Sequence, residues 1–300
     1  MTRRLLVTGY GGFVAGSVVV QAPADWQVAT VARSAVEGGT SRVEHHRLDL
    51  CDGEATARLF AELRPDAVVH TAAIADIDYC QQHRDEAERI NVAVTEQLAR
   101  LCAESGARLV FCSTDAVFDG RRGDYCETDE PWAVNSYADT KIRAEQAVLS
   151  AGRGMVVARL ALVMGLPLVG AGNSFLARMI VSLDAGKRVA FPENEIRTPV
   201  DVVTLGRALL ELAGGEFEGM IHLAGSTRLD RYTMGRRLAE RLGYDVALVD
   251  ATHSNKMPDR APRADDASLE NALARRVLET PMLELDDAIN LVLATKEKFS

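Results

Sequence analysis

The sequence lacks both a basic surface and a long apolar run. Its 34 lysines and arginines are outnumbered by 43 acidic residues, which gives a formal net charge of -9. Counterion release from a nucleic-acid backbone therefore has no global basic surface to drive it. The apolar run from Leu5 to Val7, after Arg3 and Arg4, is too short for a secretory signal and far too short to span a bilayer. We expect a cytoplasmic chain that binds neither nucleic acid nor membrane.

Paired cysteines are missing as well. The five cysteines are odd in number, form no C-x-x-C pair and stand at positions 51, 80, 102, 112 and 126. A disulfide framework or a zinc site would show regular ligand spacing, and the six scattered histidines do not supply it. We therefore predict small core-filling cysteines and no metal; a nucleophilic or metal-binding cysteine is the weaker alternative.

The sequence does contain an alternation of short apolar runs with helical patterns. At 300 residues and 47% hydrophobic content, the chain is long enough for a sizeable core. Strands are predicted over six runs: Arg3 to Thr8, Trp26 to Ala32, Val43 to Arg47, Asp66 to Thr71, Ala107 to Ser113 and Met155 to Leu160. Near-continuous apolar strands joined by helices indicate a parallel sheet covered on both faces. The predicted fold is a doubly wound α/β sheet.

The alternation loosens after Gly165, which predicts a second, smaller domain. A helix over 201–213 and a strand over 220–224 indicate a return to the sheet, and helices follow near 232–242, 269–277 and 285–296. Residues 251–266 are polar and are predicted to form a loop. We assign 1–165 and 188–224 to a dinucleotide-binding domain, and 166–187 and 225–300 to a mixed α/β substrate-binding domain.

A glycine-rich turn, with Gly9, Gly12 and then Ala15, follows the first predicted strand and opens a helix. In that position glycines allow a tight turn and let backbone N–H groups approach a pyrophosphate. A glycine turn by itself is weak evidence, but its place after the first strand of a doubly wound sheet favours a dinucleotide cofactor.

The end of the second strand bears on which dinucleotide binds. A carboxylate there accepts from the adenosine ribose, whereas an arginine accommodates a 2′-phosphate. Here Arg33 follows the strand, which favours NADP over NAD; the alternative is a solvated surface arginine. Asp49 and Leu50, after the third strand, are predicted to meet the adenine.

Tyr137 and Lys141 lie one helical turn apart in a helix that is predicted to begin near Asn135. Their side chains then share a face. A nearby cation stabilises the phenolate and brings the tyrosine pKa toward neutral pH, where proton transfer is useful. The fifth strand brings Ser113, Thr114 and Asp115 to the sheet edge where ligands bind, and a hydroxyl there is predicted to bond a substrate carbonyl beside the tyrosine. Asn91 is a candidate either for a buried amide bonded to backbone or for a holder of water.

Together these motifs resemble the extended short-chain dehydrogenase/reductase family over nearly the whole chain. The stretch from Ser113 to Gly120 and the later run from Arg197 to Asp201 resemble the branch of the dTDP-4-dehydrorhamnose reductases. The resemblance implies a catalytic set and two groups of binding residues. These are Thr114, Tyr137 and Lys141 for catalysis; Gly9, Gly12, Phe13, Val14, Arg33, Asp49, Leu50, Thr71, Ala72, Ala73, Asn91, Tyr137 and Lys141 for the cofactor; and Asp115, Val117, Phe118, Arg197 and Arg263 for the substrate.

The implied activity is NADPH-dependent reduction of a keto group on a nucleotide-diphosphate sugar. Arg263 and Arg197 are the arginines that we expect at the phosphates. Ala116 stands where that branch carries tyrosine, which leaves the sugar open. Alternatives are an epimerase or dehydratase of the same family, and a non-catalytic NADP-binding regulator resembling the regulatory subunit of methionine adenosyltransferase. A homodimer is expected to pair the helices over 86–105 and 135–151.

Overall fold

A computed structural model of the chain describes residues 2–34, 43–169, 172–256 and 260–299. Met1, 35–42, 170–171, 257–259 and Ser300 lie outside the described residues, and they include parts of both predicted domains. Within the described residues, none of the helices combines the length and the apolar character needed to cross a bilayer.

The described residues form strands and helices in regular alternation through the first half of the chain. The strands are β1 Arg3–Thr8, β2 Trp26–Ala32, β3 Val43–Arg47, β4 Ala67–His70, β5 Arg108–Thr114, β6 Met155–Leu160, β7 Val163–Met164, β8 Val189–Pro192, β9 Ile196–Arg197, β10 Val200–Asp201, β11 Gly219–Leu223, β12 Leu229–Asp230 and β13 Val249–Thr252. The helices are α1 Phe13–Gln21, α2 Gly53–Leu63, α3 Ile77–Gln82, α4 Arg84–Ala87, α5 Val94–Ser105, α6 Ser136–Ser150, α7 Phe175–Asp184, α8 Val202–Gly214, α9 Arg231–Arg241, α10 Ala272–Val277 and α11 Leu285–Phe299.

Seven of the strands form one parallel sheet in the order β11-β6-β5-β4-β1-β2-β3. All residues of β4 and β6 are buried, because helices cover both faces of the sheet. Leu5 and Val7 pack with α1 and α8 on one face, while Leu6 packs with α2, α5 and α6 on the other. The doubly wound α/β fold predicted from the sequence is confirmed.

A second group of elements, α7, α9 and α11, packs around its own apolar cluster next to the sheet. β8 and β13 pair in parallel within this group, so Phe191 of β8 lies in the same cluster. The return to the main sheet is made by α8 and β11, after β8. The division into two domains stays a prediction, and within it β8 packs with the second group rather than with the sheet.

Several predicted boundaries differ from the structure. Residues 251–266, predicted to be a loop, contain the end of β13 and a 3-10 turn over Ser254–Lys256. The helix predicted from Glu86 is interrupted by a π-helical segment, Glu88–Ala93, between α4 and α5. Of the apolar residues of α6 that could form a two-fold interface, Ala138, Ala144 and Val148 are fully buried within the chain and Ile142 is half-buried. The homodimer stays a prediction.

Candidate active site

A cavity of about 780 Å³ opens at the carboxyl edge of the sheet, between the glycine turn, the end of β5 and the second group of elements. The predicted site residues that line it are Gly9, Gly12, Phe13, Val14, Thr71, Ala72, Ala73, Thr114, Asp115, Tyr137, Lys141, Arg197 and Arg263. A parallel sheet places its strand ends at one edge, and loops from distant parts of the chain meet there. The cavity therefore unites the predicted cofactor and catalytic residues.

The glycine turn forms a close-fitting cradle between β1 and α1. Gly9 has φ +78°, in the left-handed region that favours glycine. A Cβ on Gly9 would lie 2.8 Å from the backbone nitrogen of Ala72, and one on Gly12 would lie 2.9 Å from the carbonyl oxygen of Gly9. Neither position has room for a side chain. The turn therefore presents bare backbone to a ligand at the start of α1.

A smaller cavity of about 230 Å³ continues from the turn, sharing Gly9, Ala72 and Ala73 with the large one. Arg33 and Asp49 line it, together with Leu50 and residues of α5. Both charged residues are exposed. The two cavities thus form a groove long enough to run from the end of β2, past the glycine turn, to Tyr137.

The three predicted catalytic residues meet in the large cavity. Asn135 begins α6, where its side chain accepts a hydrogen bond from the backbone N–H of Ala138 at 2.9 Å. Tyr137 and Lys141 lie one turn apart on that helix and are both buried. Thr114, the last residue of β5, lines the same cavity as Tyr137, and its hydroxyl is near enough to act on the pKa of the phenol. A proton donor, a hydroxyl and a cation therefore converge.

Burial controls the protonation of these groups. It raises the pKa of the Tyr137 phenol, and the neighbouring Thr114 hydroxyl opposes that shift. The direction is opposite to the one predicted from the spacing of tyrosine and lysine. The physical reason is that the phenol is 8% exposed, and the Lys141 ammonium donates to the carbonyl oxygen of Cys112 at 2.7 Å. Burial also lowers the pKa of Lys141 to about 8.

Asn91 does not line either of these two cavities, contrary to its assignment as a cofactor residue. It lies in the π-helical segment, is 1% exposed, and accepts from the backbone N–H of Ile74 at 2.8 Å. Its amide nitrogen donates to the carbonyl of Ile74 and to the hydroxyl of Thr140, both at 3.1 Å. The structure therefore agrees with the buried-amide interpretation: Asn91 fixes the loop that carries Ile74 to α6.

Val117 and Phe118 were predicted to contact substrate, and this is wrong. A 3-10 turn over Asp115–Val117 follows Thr114, and its last residue, Val117, and the next residue, Phe118, lie in the core. Both are fully buried, and the Phe118 ring stacks on Tyr125 with a centroid separation of 4.1 Å. Asp115 keeps its place at the cavity.

The two arginines expected at the phosphates line the cavity, but both guanidinium groups are engaged. Arg263 forms a bidentate pair with Asp78, with N···O distances of 3.0 and 2.7 Å. Arg197 donates to the carbonyl oxygens of Ile196, Ala264 and Asp265 over 2.7 to 3.0 Å. These bonds hold 260–266 against the sheet edge.

Three charged lining residues were missed by sequence reasoning: Arg178, Glu195 and Arg231. Arg231 begins α9, directly after the capping residue Asp230. The helix dipole disfavours a cation at a helix N-terminus. The position of Arg231 was therefore the available sequence signal that this residue has another role. Arg178, in α7, is exposed and donates to the carbonyl of Asn173 at 2.8 Å.

Among the described residues, no group of three or more histidine, cysteine or acidic side chains is arranged to hold a metal ion. The polar side chains among the described lining residues of the cavity are three hydroxyls, a phenol, a thiol, an amide, an ammonium group, four guanidinium groups and two carboxylates.

The sheet, the cradle after β1 and the meeting of Thr114, Tyr137 and Lys141 define the class as the extended short-chain dehydrogenases/reductases. Within that class, the chain belongs to the family of the RmlD substrate binding domain, whose model matches residues 3–297. The resemblance inferred from the motifs is confirmed.

Individual relatives agree with this assignment. The chain is 30% identical over 299 residues to dTDP-4-dehydrorhamnose reductase of Mycobacterium tuberculosis, covering 98% of this chain and 93% of that protein. It is 29% identical over 246 residues to methionine adenosyltransferase 2 subunit beta of Rattus norvegicus, covering 80% and 72% respectively. A solved dTDP-4-dehydrorhamnose reductase from Bacillus anthracis, in complex with NADP, has the same fold, with a TM-score of 0.88 and 20% identity over 98% of this chain and 100% of that one.

Proposed function

We propose that this chain is an NADPH-dependent reductase of a keto group on a nucleotide-diphosphate sugar, with Tyr137 as the proton donor. The observation that carries the proposal is the convergence of Thr114, Tyr137 and Lys141 in the same cavity as the glycine cradle. The 30% identity to a dTDP-4-dehydrorhamnose reductase over nearly the full chain supports the same class of substrate.

The groove fits a dinucleotide. The N–H groups of Gly9 and Gly12 donate to the carbonyls of Val31 and Gly9, so the first N–H groups of α1, at Phe13 and Val14, would hold the pyrophosphate. Arg33 would bind the 2′-phosphate with charge-assisted hydrogen bonds, and Asp49 would accept from the adenine amino group. A similar protein was solved in complex with NADP, which supports the choice of NADP over NAD.

When bound, the reduced nicotinamide supplies the hydride. The Thr114 hydroxyl donates to the substrate carbonyl oxygen and orients it toward Tyr137. The phenol is protonated at neutral pH, since burial raises its pKa, and it donates its proton to that oxygen as negative charge develops there. Lys141, fixed by the carbonyl of Cys112, holds a ribose hydroxyl and keeps a positive charge beside the phenol.

The charge of the cavity suits a diphosphate. Its described lining includes five cationic side chains, Lys141, Arg178, Arg197, Arg231 and Arg263, and two carboxylates, Asp115 and Glu195. The protein as a whole carries a net charge of -9, so this concentration of cations is local. Arg178 is the exposed member of the set, and we assign it to the diphosphate beside Arg263.

Two observations disfavour the alternatives. A dehydratase needs a second carboxylate as base beside Asp115, and the next residue is Ala116. Glu195 lies in the same cavity, but the charges of Arg231 and Arg197 outweigh the effect of burial and hold its pKa low, which makes it a weak base. A regulator has no chemical need for the complete set of Thr114, Tyr137 and Lys141, although the methionine adenosyltransferase subunit is a relative.

The proposed function is tested by measuring NADPH oxidation with dTDP- and UDP-linked 4-keto sugars and with the same sugars lacking the nucleotide. We expect turnover with a nucleotide-linked substrate and none with the free sugar. NADPH binding without oxidation of any of these substrates would favour the regulator, and equal activity on the free sugar would exclude the nucleotide-sugar assignment.

A further inference from the structure

Four charged side chains form a continuous row along the large cavity: Asp115, Arg197, Glu195 and Arg231, called here the charge row. Asp115 Oδ2 lies 3.5 Å from Arg197 Nε, and Arg197 Nη2 lies 3.9 Å from Glu195 Oε2. Arg231 Nη1 donates to the same Glu195 oxygen at 3.1 Å. Acid and base therefore alternate, and the four charges balance within the row.

Three polar atoms of the charge row are buried without a hydrogen-bond partner in the part of the chain that the structure describes. They are Asp115 Oδ2, Glu195 Oε1 and Arg231 Nε. An unsatisfied buried polar atom costs roughly 1–3 kcal/mol, and native proteins contain few of them. Three such atoms along one cavity indicate that a ligand supplies the missing partners.

The charge row is held rigidly, as a binding site requires. The backbone N–H of Arg231 donates to the carbonyl of Glu195 at 3.0 Å, and the guanidinium group lies 5.7 Å from the ring centroid of Phe175 and 6.0 Å from that of Phe191. Arg197 is fixed by three backbone carbonyls. Side chains locked in this way do not have to be ordered when the ligand binds.

The balance of charge decides the class of ligand. A phosphate would meet the carboxylates of Asp115 and Glu195 as well as the arginines, and like charges in a desolvated site are unfavourable. A neutral ligand that both donates and accepts hydrogen bonds meets no such repulsion. Sugar hydroxyl groups have this property, because each is one donor and two acceptors.

The charge row also begins at the reacting position. Without substrate, the hydroxyl of Thr114 donates to Asp115 Oδ1 at 3.2 Å, and it exchanges this acceptor for the carbonyl oxygen when substrate binds. Asp115 therefore stands next to the ring carbon that neighbours the carbonyl, and Glu195 and Arg231 lie further along the cavity. Burial raises the pKa of Asp115, against the opposing charge of Arg197.

We propose that the charge row binds the ring hydroxyls of the sugar and so selects a hexose that keeps hydroxyl groups beside its keto carbon. The oxygens of Asp115 and Glu195 accept from hydroxyls, and Arg231 Nε donates to one. This inference rests on the proposed function, since it assigns the sugar-binding part of the same cavity.

The test compares the binding of dTDP with that of dTDP-glucose, which is a stable hexose conjugate without a keto group, by titration calorimetry in the presence of NADP. Glu195→Gln removes one acceptor and keeps the shape, and Arg231→Lys keeps the charge and removes Nε. We expect each variant to weaken dTDP-glucose on the order of tenfold or more, since a hydrogen bond to a charged group is involved, and to leave dTDP within about twofold.

Matched controls are Glu193→Gln and Arg236→Lys, which alter exposed residues of the same segments and are expected to leave both affinities unchanged. Equal weakening of dTDP and dTDP-glucose would overturn the inference and assign the charge row to the diphosphate, and so would unchanged affinity for dTDP-glucose. If the wild-type protein binds neither dTDP- nor UDP-linked glucose, the proposed function itself is wrong. Glu195→Gln breaks a buried ion pair and is expected to lower stability, so affinities are compared at a temperature at which thermal unfolding shows each variant to be folded.

Discussion

The ammonium group of Lys141 donates a 2.7 Å hydrogen bond to the main-chain carbonyl of Cys112. It also lies 4.0 Å from the centroid of the Phe111 ring, on the same strand. This bond ties α6 to the end of β5. Tyr137, one helical turn before Lys141, is thereby fixed relative to Thr114, and the phenol and the hydroxyl keep their places in the cavity.

Activity is expected to fall as the pH rises through about 8. Burial lowers the pKa of Lys141 to about 8 from its ordinary value of 10.5, so the ammonium form is present at neutral pH and is lost above that value. Without the charge, both the ribose contact and the stabilisation of negative charge on Tyr137 weaken. The measurement is turnover as a function of pH at saturating NADPH. Lys141→Arg, whose guanidinium stays protonated, is expected to lose this falling limb; a wild-type profile flat to about pH 10 would contradict the role of the lysine.

Tyr137→Phe is expected to keep NADPH binding and to lower turnover by about 100-fold or more, because it removes the proton donor and leaves the ring in place. Cofactor affinity is measured by fluorescence titration and turnover by NADPH oxidation with the active sugar. Tyr244→Phe is the matched control, since that hydroxyl bonds Asp184, outside the cavity. Wild-type turnover in Tyr137→Phe would contradict the mechanism and favour the regulator.

The sheet could be predicted because its signal is local. The run from Met155 to Leu160 is apolar except for Arg159 and forms β6 within those bounds, and the glycine turn follows β1 directly. Parallel topology then places the strand ends at one edge, which is why Thr114 and Tyr137 were expected to meet.

The rest of the site depends on contacts between distant residues. Arg263 and Asp78 are 185 residues apart in sequence, and Arg231 and Glu195 are brought to the cavity by packing of the second group of elements. Spacing carries no information about such pairs. The 3-10 turn after Thr114 changes the direction of the backbone within three residues, and Phe118 is buried as a result. The sequence motif from Ser113 to Gly120 does not reveal this change of direction.

Arg33→Ala is expected to remove a preference for NADPH over NADH. A charge-assisted contact with the 2′-phosphate contributes about 1.5–3 kcal/mol, which corresponds to roughly 10- to 150-fold in affinity. Both cofactors are titrated against wild type and variant. Arg58→Ala, on the exposed side of α2, is the control and is expected to leave the ratio unchanged. A wild type that prefers NADH would show that Arg33 is an ordinary surface residue.

Arg159 and Glu145 form a buried ion pair beneath the site, and its disruption is expected to destabilise the fold. Arg159 Nε and Nη2 donate to the two carboxylate oxygens of Glu145 at 3.0 and 2.8 Å, and both side chains are 2–3% exposed. Ser113, which lines the cavity, donates to Glu145 at 2.5 Å, so the pair also supports the end of β5.

Arg159→Met leaves the Glu145 carboxylate buried without its cation, and we expect the free energy of unfolding to fall by about 3–5 kcal/mol. The double variant with Glu145→Leu removes both charges and is expected to recover part of that loss, because no isolated charge remains. Arg58→Met breaks the exposed pair with Glu54 and is expected to cost about 1 kcal/mol or less. Urea unfolding at neutral pH measures all three. A cost for Arg159→Met as small as that for Arg58→Met would show that the buried pair does not hold the end of β5 in place.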